Sequence, residues 1–248
     1  LTDLRSSAFS ILHEGGHGLY EQHINPALIG TTLNTGTSMG IHESQSRFYE
    51  NIVGRNKHFW MNHYNKISEI FPSYKNVSLE AFYKGMNVVQ PSLIRTEADE
   101  LTYNLHVIIR FELEKALFDG TLEVKDLPIA WHDKMQAYLG IVPVNHKEGV
   151  LQDVHWAGGM FGYFPSYALG NIYGGQFLMQ IEKELGGLDT LLEKGELIKV
   201  SDWLTEHVHT FGCMKAPMQI IQDACQSHLD ATPIIRYYTD KYTKLYNL

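Results

Sequence analysis

The 248-residue sequence predicts a mainly α protein. Three observations lead there: apolar residues recur at helical spacing over long stretches, Gly- and Pro-dense patches are short, and the run His13-Glu14-Gly15-Gly16-His17 lies in a stretch that suits a buried helix. The first helix should stop near Asn25-Pro26, because Pro lacks a backbone donor and restricts the residue before it. Residues 30–40, rich in Gly and Thr, read as a loop or a short edge strand, and a second helix runs from about Gly40 to Val53. A segment from near Ser78 carries Leu79, Phe82 and Met86 at helical spacing and stops before Pro91. The spacing predicts a long helix over Thr96–Phe118, with Leu101, Leu105, Ile108, Ile109, Leu113 and Leu117 inward and Asp119-Gly120 as its stop. Further helices are expected over Asp126–Leu139, Tyr167–Glu184 and Ser201–His209, and a solvated final helix around Asp240–Lys244. Residues 1–248 therefore read as a single helical region with no internal repeat or low-complexity linker.

In a helix His13 and His17 are i and i+4 neighbours, so both imidazoles leave one face and can close on one zinc-sized ion. Glu14 beside them is placed to take a proton from a water that such an ion activates. The bland alternative, a helix with two packed histidines, has to explain Gly15 and Gly16, each of which costs about 1 kcal/mol of helix propensity relative to Ala. Small residues there would let a substrate backbone come close. A tetrahedral catalytic zinc takes three protein ligands and leaves one position open. Glu43, 26 residues beyond His17 and in the first turn of the second helix, is the expected third, the helix-loop-helix arrangement of a zincin-like fold.

Composition narrows the function classes. The chain is 44% hydrophobic and 19% charged, enough for a sizeable core, and no run of 18 apolar residues indicates a membrane span. A balance of 20 basic to 28 acidic residues gives a formal charge of −8, which argues against nucleic-acid binding. Two cysteines, Cys213 and Cys225, read as ordinary thiols and suit a reducing, cytoplasmic compartment.

Four stretches in order, His13-Glu14-Gly15-Gly16-His17, His42-Glu43-Ser44-Gln45, Ile94-Arg95-Thr96-Glu97-Ala98-Asp99 and Gly149 to Trp156 (Gly-Val-Leu-Gln-Asp-Val-His-Trp), resemble the M32 carboxypeptidase family, the carboxypeptidase Taq group. The resemblance implies a zinc-dependent carboxypeptidase, with cobalt or manganese as substitutes, acting on peptides with a free C-terminal carboxylate and assembled as a homodimer. It implies His13, His17 and Glu43 as metal ligands and Glu14 as general base. Arg95 has two readings from the residues alone: an ion pair with the nearby Glu97 or Asp99, or a planar grip on a peptide's terminal carboxylate. The resemblance favours the second. His155, Tyr167 and Tyr163 are the expected oxyanion donors, against a reading of that Tyr-rich stretch as core packing. The Gly149–Trp156 stretch is expected to shape how much peptide the groove accepts. His42, His106, His207 and His209 are weaker candidates, His106 reading as a core histidine.

The family's Asp-x-Arg-x-Thr motif lies upstream of H-E-x-x-H, where this chain has twelve residues and no initiator Met, and family members are about twice as long. The expectation is therefore the C-terminal, metal-carrying half of a longer protein. Two competing readings are an oligopeptidase-type endopeptidase, which shares the metal motif and lacks a carboxylate anchor, and a catalytically inactive half-chain serving as a helical scaffold.

Overall fold

The computed structural model describes residues 4–248, and among them it contains helices and turns and no strand. The helices are α1 (Leu4–Gln22), α2 (Met39–Arg47), α3 (Lys57–Met61), α4 (Tyr64–Ile70), α5 (Leu79–Met86), α6 (Tyr103–Phe118), α7 (Leu127–Leu139), α8 (Pro165–Leu185), α9 (Leu188–Glu193), α10 (Leu197–His207), α11 (Pro217–Cys225) and α12 (Thr232–Tyr246). Two compact units result: one joins the chain up to Asn87 with Leu169–Leu248, the other is Val88–Ala168.

In the first unit, α1 ends just before the turn at Pro26, and Ser38 caps α2 by accepting the Ile41 N–H at 3.2 Å. The stretch expected as a loop or edge strand is all turns. Its backbone donors are taken by α1 side chains, the Gly36 N–H by Glu21 and the Thr37 N–H by the Tyr20 hydroxyl, so no strand partner is needed. α2 runs on into a π-helical turn over Phe48–Val53. Tyr20, Ile41, Phe48, Ile52, Tyr173, Phe177 and Ile181 form the centre of this unit's core, with a smaller cluster of Phe9, Trp60, Phe82 and Met86. The final helix is far longer than the solvated Asp240–Lys244 segment, and buries Ile234 and Tyr242.

One contact fixes how α1 meets α2. A Cβ on Gly16 would lie 2.5 Å from the Gln45 carbonyl oxygen and 2.7 Å from Ser46 Cα, so only glycine lets the two backbones touch there. Gly15 is exposed, and a Cβ there meets nothing within 4 Å. Gly16 thus has a helix-packing reason that the sequence reading did not include.

In the second unit, the long helix begins at Tyr103, seven residues later than the spacing predicts, and Arg95–Glu97 form a separate 3-10 turn. Asp99 is the cause. Its carboxylate accepts the N–H groups of Leu101 and Thr102 at 2.9 Å, the Thr102 hydroxyl at 2.8 Å and the Gln90 N–H at 3.1 Å, which ends one turn and starts the next. Leu101, now ahead of the helix, and Ile108, both expected inward, are exposed, while Tyr103, His106, Arg110 and Glu114 are buried beside Val107, Ile109 and Leu113. α6 packs on α7 through Ile109, Leu113, Trp131 and Met135, and α7 ends at Gly140 in the left-handed region with φ 70°.

His106 is fully buried, as the sequence reading of a core histidine had it; burial first, then the charges of Arg110 and Arg95, push its pKa down to about 3. The unfolded chain protonates this imidazole near its ordinary value and the folded chain does not, so between those pH values folding excludes a proton. Stability should fall as pH drops from about 6.5 toward 3, by at most about 1.4 kcal/mol per pH unit from this group. Urea unfolding at pH 7.5 and 5 checks it: His106→Leu should flatten the slope. A second check concerns the helix contact, where Gly16→Ala should cost about 1 to 3 kcal/mol by overpacking and Gly15→Ala should be neutral or stabilising in thermal melts.

Candidate metal centre and arginine cluster

The first unit brings His13, His17 and Glu43 together. Their ligand atoms lie within 4.8 Å of one another. Nε2 of His17 is 3.5 Å and Nε2 of His13 is 3.8 Å from the same Glu43 oxygen. Ligands at zinc bond lengths sit about 3.4 Å apart in a tetrahedron, so two imidazoles and one carboxylate at this spacing fit a zinc-sized ion, and the donor set suits it. Glu43 is buried between two helices: Gly16 admits α2 on one side, and on the other a Cβ at Gly170 of α8 would lie 2.8 Å from Glu43 Cγ. Burial opposes ionisation of Glu43, but the bond to His17 and the nearness of His13 and Arg47 hold its pKa below the usual carboxylate value. Glu14 follows His13 on α1 and is exposed.

Each imidazole is oriented from behind. His13 Nδ1 is 2.9 Å from Glu50, whose carboxylate also accepts from Arg47 at 2.9 Å. Residues 43, 47 and 50 share one face of α2 and its π-helical extension, which is how one helix supplies both a ligand and the group behind another ligand. Burial opposes ionisation of Glu50 too, yet Arg47 and His13 lower its pKa to about 2, so it stays a carboxylate. His17 Nδ1 is 2.6 Å from His42 Nδ1, and His42 Nε2 is 2.9 Å from Glu21. An Nδ1–H on His17 that donates to His42 would leave His17 Nε2 free to act as a ligand, with His42 carrying its own proton on Nε2 and donating to Glu21. Both imidazoles are thereby set to present Nε2 to the same point. Neither Glu50 nor Glu21 stood out in the sequence, and His42 ranked low, although the i+7 spacing of Glu50 from Glu43 was available.

The second unit brings Arg95, His155, Tyr163 and Tyr167 together. Arg95 pairs with neither Glu97 nor Asp99 but with Asp153: its Nε and Nη2 donate to Oδ1 at 3.0 and 2.8 Å, and its Nη1 to the Tyr103 hydroxyl at 3.0 Å. The Arg95 N–H donates to Gln152 at 2.9 Å, and Gln152 in turn donates to the Leu93 and Glu148 carbonyls. The guanidinium lies 4.5 Å from the centre of the Tyr167 ring. His155 Nε2 is 2.9 Å from the Tyr167 hydroxyl, with Tyr163 and Phe164 stacked against its ring at 5.3 and 4.5 Å. Burial and the positive charge of Arg95 lower the His155 pKa, which keeps this imidazole neutral. Trp156 Nε1 donates to Glu114 at 2.7 Å, and the Gly162 N–H donates to the other oxygen of that carboxylate, so α6 pins both ends of the glycine-rich loop after His155.

Sequence reasoning missed Arg110. It is fully buried, lies 4.6 Å from the centre of the Trp131 ring and donates from Nε to Asp153 Oδ2 at 2.6 Å. The signal was an arginine in the inward stripe of α6, between Ile109 and Leu113.

Comparison with known proteins gives consistent matches. Residues 1–242 match the family model described as carboxypeptidase Taq (M32) metallopeptidase. Carboxypeptidase 1 of Bacillus subtilis is 53% identical over 247 residues, 99% of this chain and 49% of that protein. Thermostable carboxypeptidase 1 of Thermus thermophilus is 47% identical, over 96% of this chain and 47% of its own length. Among solved structures, the M32 carboxypeptidase from Deinococcus radiodurans R1 superposes with a TM-score of 0.94 at 42% identity, over 97% of this chain and 49% of that one. The Pyrococcus furiosus carboxypeptidase gives 0.92 at 40%, over 94% and 47%. The chain spans about half the length of the curated relatives it matches.

The groups behind the imidazoles make a direct test. Glu50→Gln should weaken metal binding by about 10- to 100-fold without removing a ligand. Glu43→Gln should abolish tight binding. Competition against a chelating dye reads both.

Proposed function

Because this chain belongs to the carboxypeptidase Taq (M32) family of metallopeptidases, we propose that the protein carrying it removes single amino acids from peptide C-termini by metal-assisted hydrolysis. The observation that carries the reading is the convergence of His13, His17 and Glu43, two imidazole nitrogens and a carboxylate facing one point at zinc-compatible spacing.

In this proposal those three residues hold zinc, with cobalt or manganese able to replace it. When bound, the ion supplies Lewis acidity, polarising a peptide carbonyl and lowering the pKa of water toward about 7. Glu14 takes a proton from the attacking water and hands it to the departing amine, so it must be ionised at the start and protonated between the two transfers. His155 and Tyr167, joined by a hydrogen bond, and Tyr163 beside them are the candidate donors to the oxyanion. A neutral His155 keeps one ring N–H to donate while its other nitrogen accepts.

Arg95 is the candidate anchor for the substrate's free carboxylate. Asp153 and Tyr103 take three of its five side-chain donors, which leaves two for a ligand. Such an anchor separates an exopeptidase from an endopeptidase, because it counts from the chain end. The same reading carries homodimeric assembly and a cytoplasmic location, the latter supported by only two cysteines, both free.

Mass spectrometry of a peptide incubated with the metal-loaded protein, with and without a chelator, tests the proposal. A chelator-sensitive ladder that loses single residues from the C-terminus is expected, and Glu14→Gln should lower kcat by at least about 100-fold while retaining the metal. Internal fragments would overturn the exopeptidase reading in favour of an endopeptidase.

A further inference from the structure

We propose that Arg110 is a positioning residue for carboxylate recognition: bound to the Asp153 that also holds Arg95, it keeps the three-residue cluster net positive and fixes the Arg95 guanidinium for an incoming anion. The inference rests on the reading of Arg95 as the substrate's carboxylate anchor.

The case starts from charge balance. A guanidinium that already grips a carboxylate through two parallel bonds is electrically spent, and a pair made only of Arg95 and Asp153 would offer a second carboxylate little attraction. Asp153 does not serve Arg95 alone. Its Oδ1 takes the two bonds from Arg95, and its Oδ2 takes Arg110 Nε at 2.6 Å. Among the described residues Asp153 is the carboxylate paired with both arginines, and no other acid is within ion-pair distance of either. Two guanidiniums on one carboxylate leave one positive charge over. Burial draws the Arg110 pKa down to about 10, so it remains charged at neutral pH, while the two arginines hold Asp153 ionised against the opposing effect of its burial.

The cluster is also stiff. Arg110 is fully buried, lies against the Trp131 ring and donates from Nη1 to the His106 carbonyl at 2.9 Å, one turn back on α6. Asp153 is therefore tied to a helix on one side and to Arg95 on the other, and the Arg95 plane has its edge toward Asp153 fixed. What remains of its donors points to a defined place, which is what distinguishing a terminal carboxylate from a mid-chain amide requires.

A purely structural account of Arg110 is weak. Its Nη2 is buried without a hydrogen-bond partner, a cost that an apolar side chain against Trp131 would not carry. Replacing both partners of a buried ion pair by apolar residues is often neutral or stabilising, but loss of Arg110 alone would leave Asp153 Oδ2 without its partner while Oδ1 kept its two bonds from Arg95.

The test uses the metal-loaded protein with the Glu14→Gln change, so that peptides bind without turnover. Affinities are compared for an N-acetylated tetrapeptide and its C-terminal amide. Arg110→Met should reduce the preference for the carboxylate form by about tenfold or more, with the amide's affinity essentially unchanged. Arg110→Gln, which keeps a donor for Asp153 but loses the charge, should show the same loss, and it serves if the Met variant does not fold. Arg110→Lys should recover most of the preference. In the protein with Glu14 intact, Arg110→Met should raise KM and leave kcat within about twofold. Full preference in the Met or Gln variant, while Arg95→Gln abolishes it, would overturn the role of Arg110 and leave Arg95 as the anchor. Full preference in Arg95→Gln would overturn the anchor itself, and this inference with it.

Discussion

The backbone contact of α1 with α2 at Gly16 is the constraint on which the convergence of His13, His17 and Glu43 depends. Packed helices normally sit about 8 to 10 Å apart because side chains keep them separate. Here a carbonyl oxygen and a Cα of α2 occupy the place where a side chain would begin. That closeness lets two imidazoles on one helix and a carboxylate on the next point at a common centre, although none of the three side chains is long. Gly170 on the other side of Glu43 completes the same device, clearing room for the carboxylate's own methylenes. Two glycines that weaken their helices locally thus set the reach of the donors.

Orientation is a separate matter from proximity. An imidazole has two nitrogens, and a ligand set built from rings free to flip would present either. Glu50 and the His42–Glu21 pair remove that freedom by occupying both Nδ1 atoms. The two solutions differ. His13 has a carboxylate directly behind it, kept ionised by Arg47, whereas His17 reaches a carboxylate only through a second imidazole. The latter ties His17 to the turn-rich segment between α1 and α2, because Glu21 also accepts the Gly36 N–H.

The second unit solves an electrostatic problem instead. Its buried stripe along α6 combines apolar groups that hold α7 with polar groups, of which Arg110 binds Asp153, Glu114 accepts from Trp156 and Gly162, and Tyr103 accepts from Arg95. One carboxylate on that segment organises two arginines that come from a short turn and from a long helix. Arg95, Arg110 and Glu114 each have an oppositely charged or hydrogen-bonding partner in this cluster, although Arg110 Nη2 has none.

The sequence by itself determined the helical class and most helix positions, because these are written in 3.6-residue periodicity, and it named the i to i+4 pair His13 and His17 with Glu43 as a candidate donor set, whose atoms do converge. It placed Arg95, His155, Tyr163 and Tyr167 as candidates, and these four do lie near one another. Tertiary structure decided what the local pattern could not. It decided where α6 starts, since the Asp99 turn overrides a continuous apolar period, and which of its residues are inward, Arg110 being buried and Ile108 exposed. It gave Gly16 in α1 its packing reason, visible only from the opposing backbone. And it chose Asp153, 58 residues away, over the adjacent acids as the partner of Arg95, because which charges meet is settled by how the chain folds back on itself and not by their distance along it.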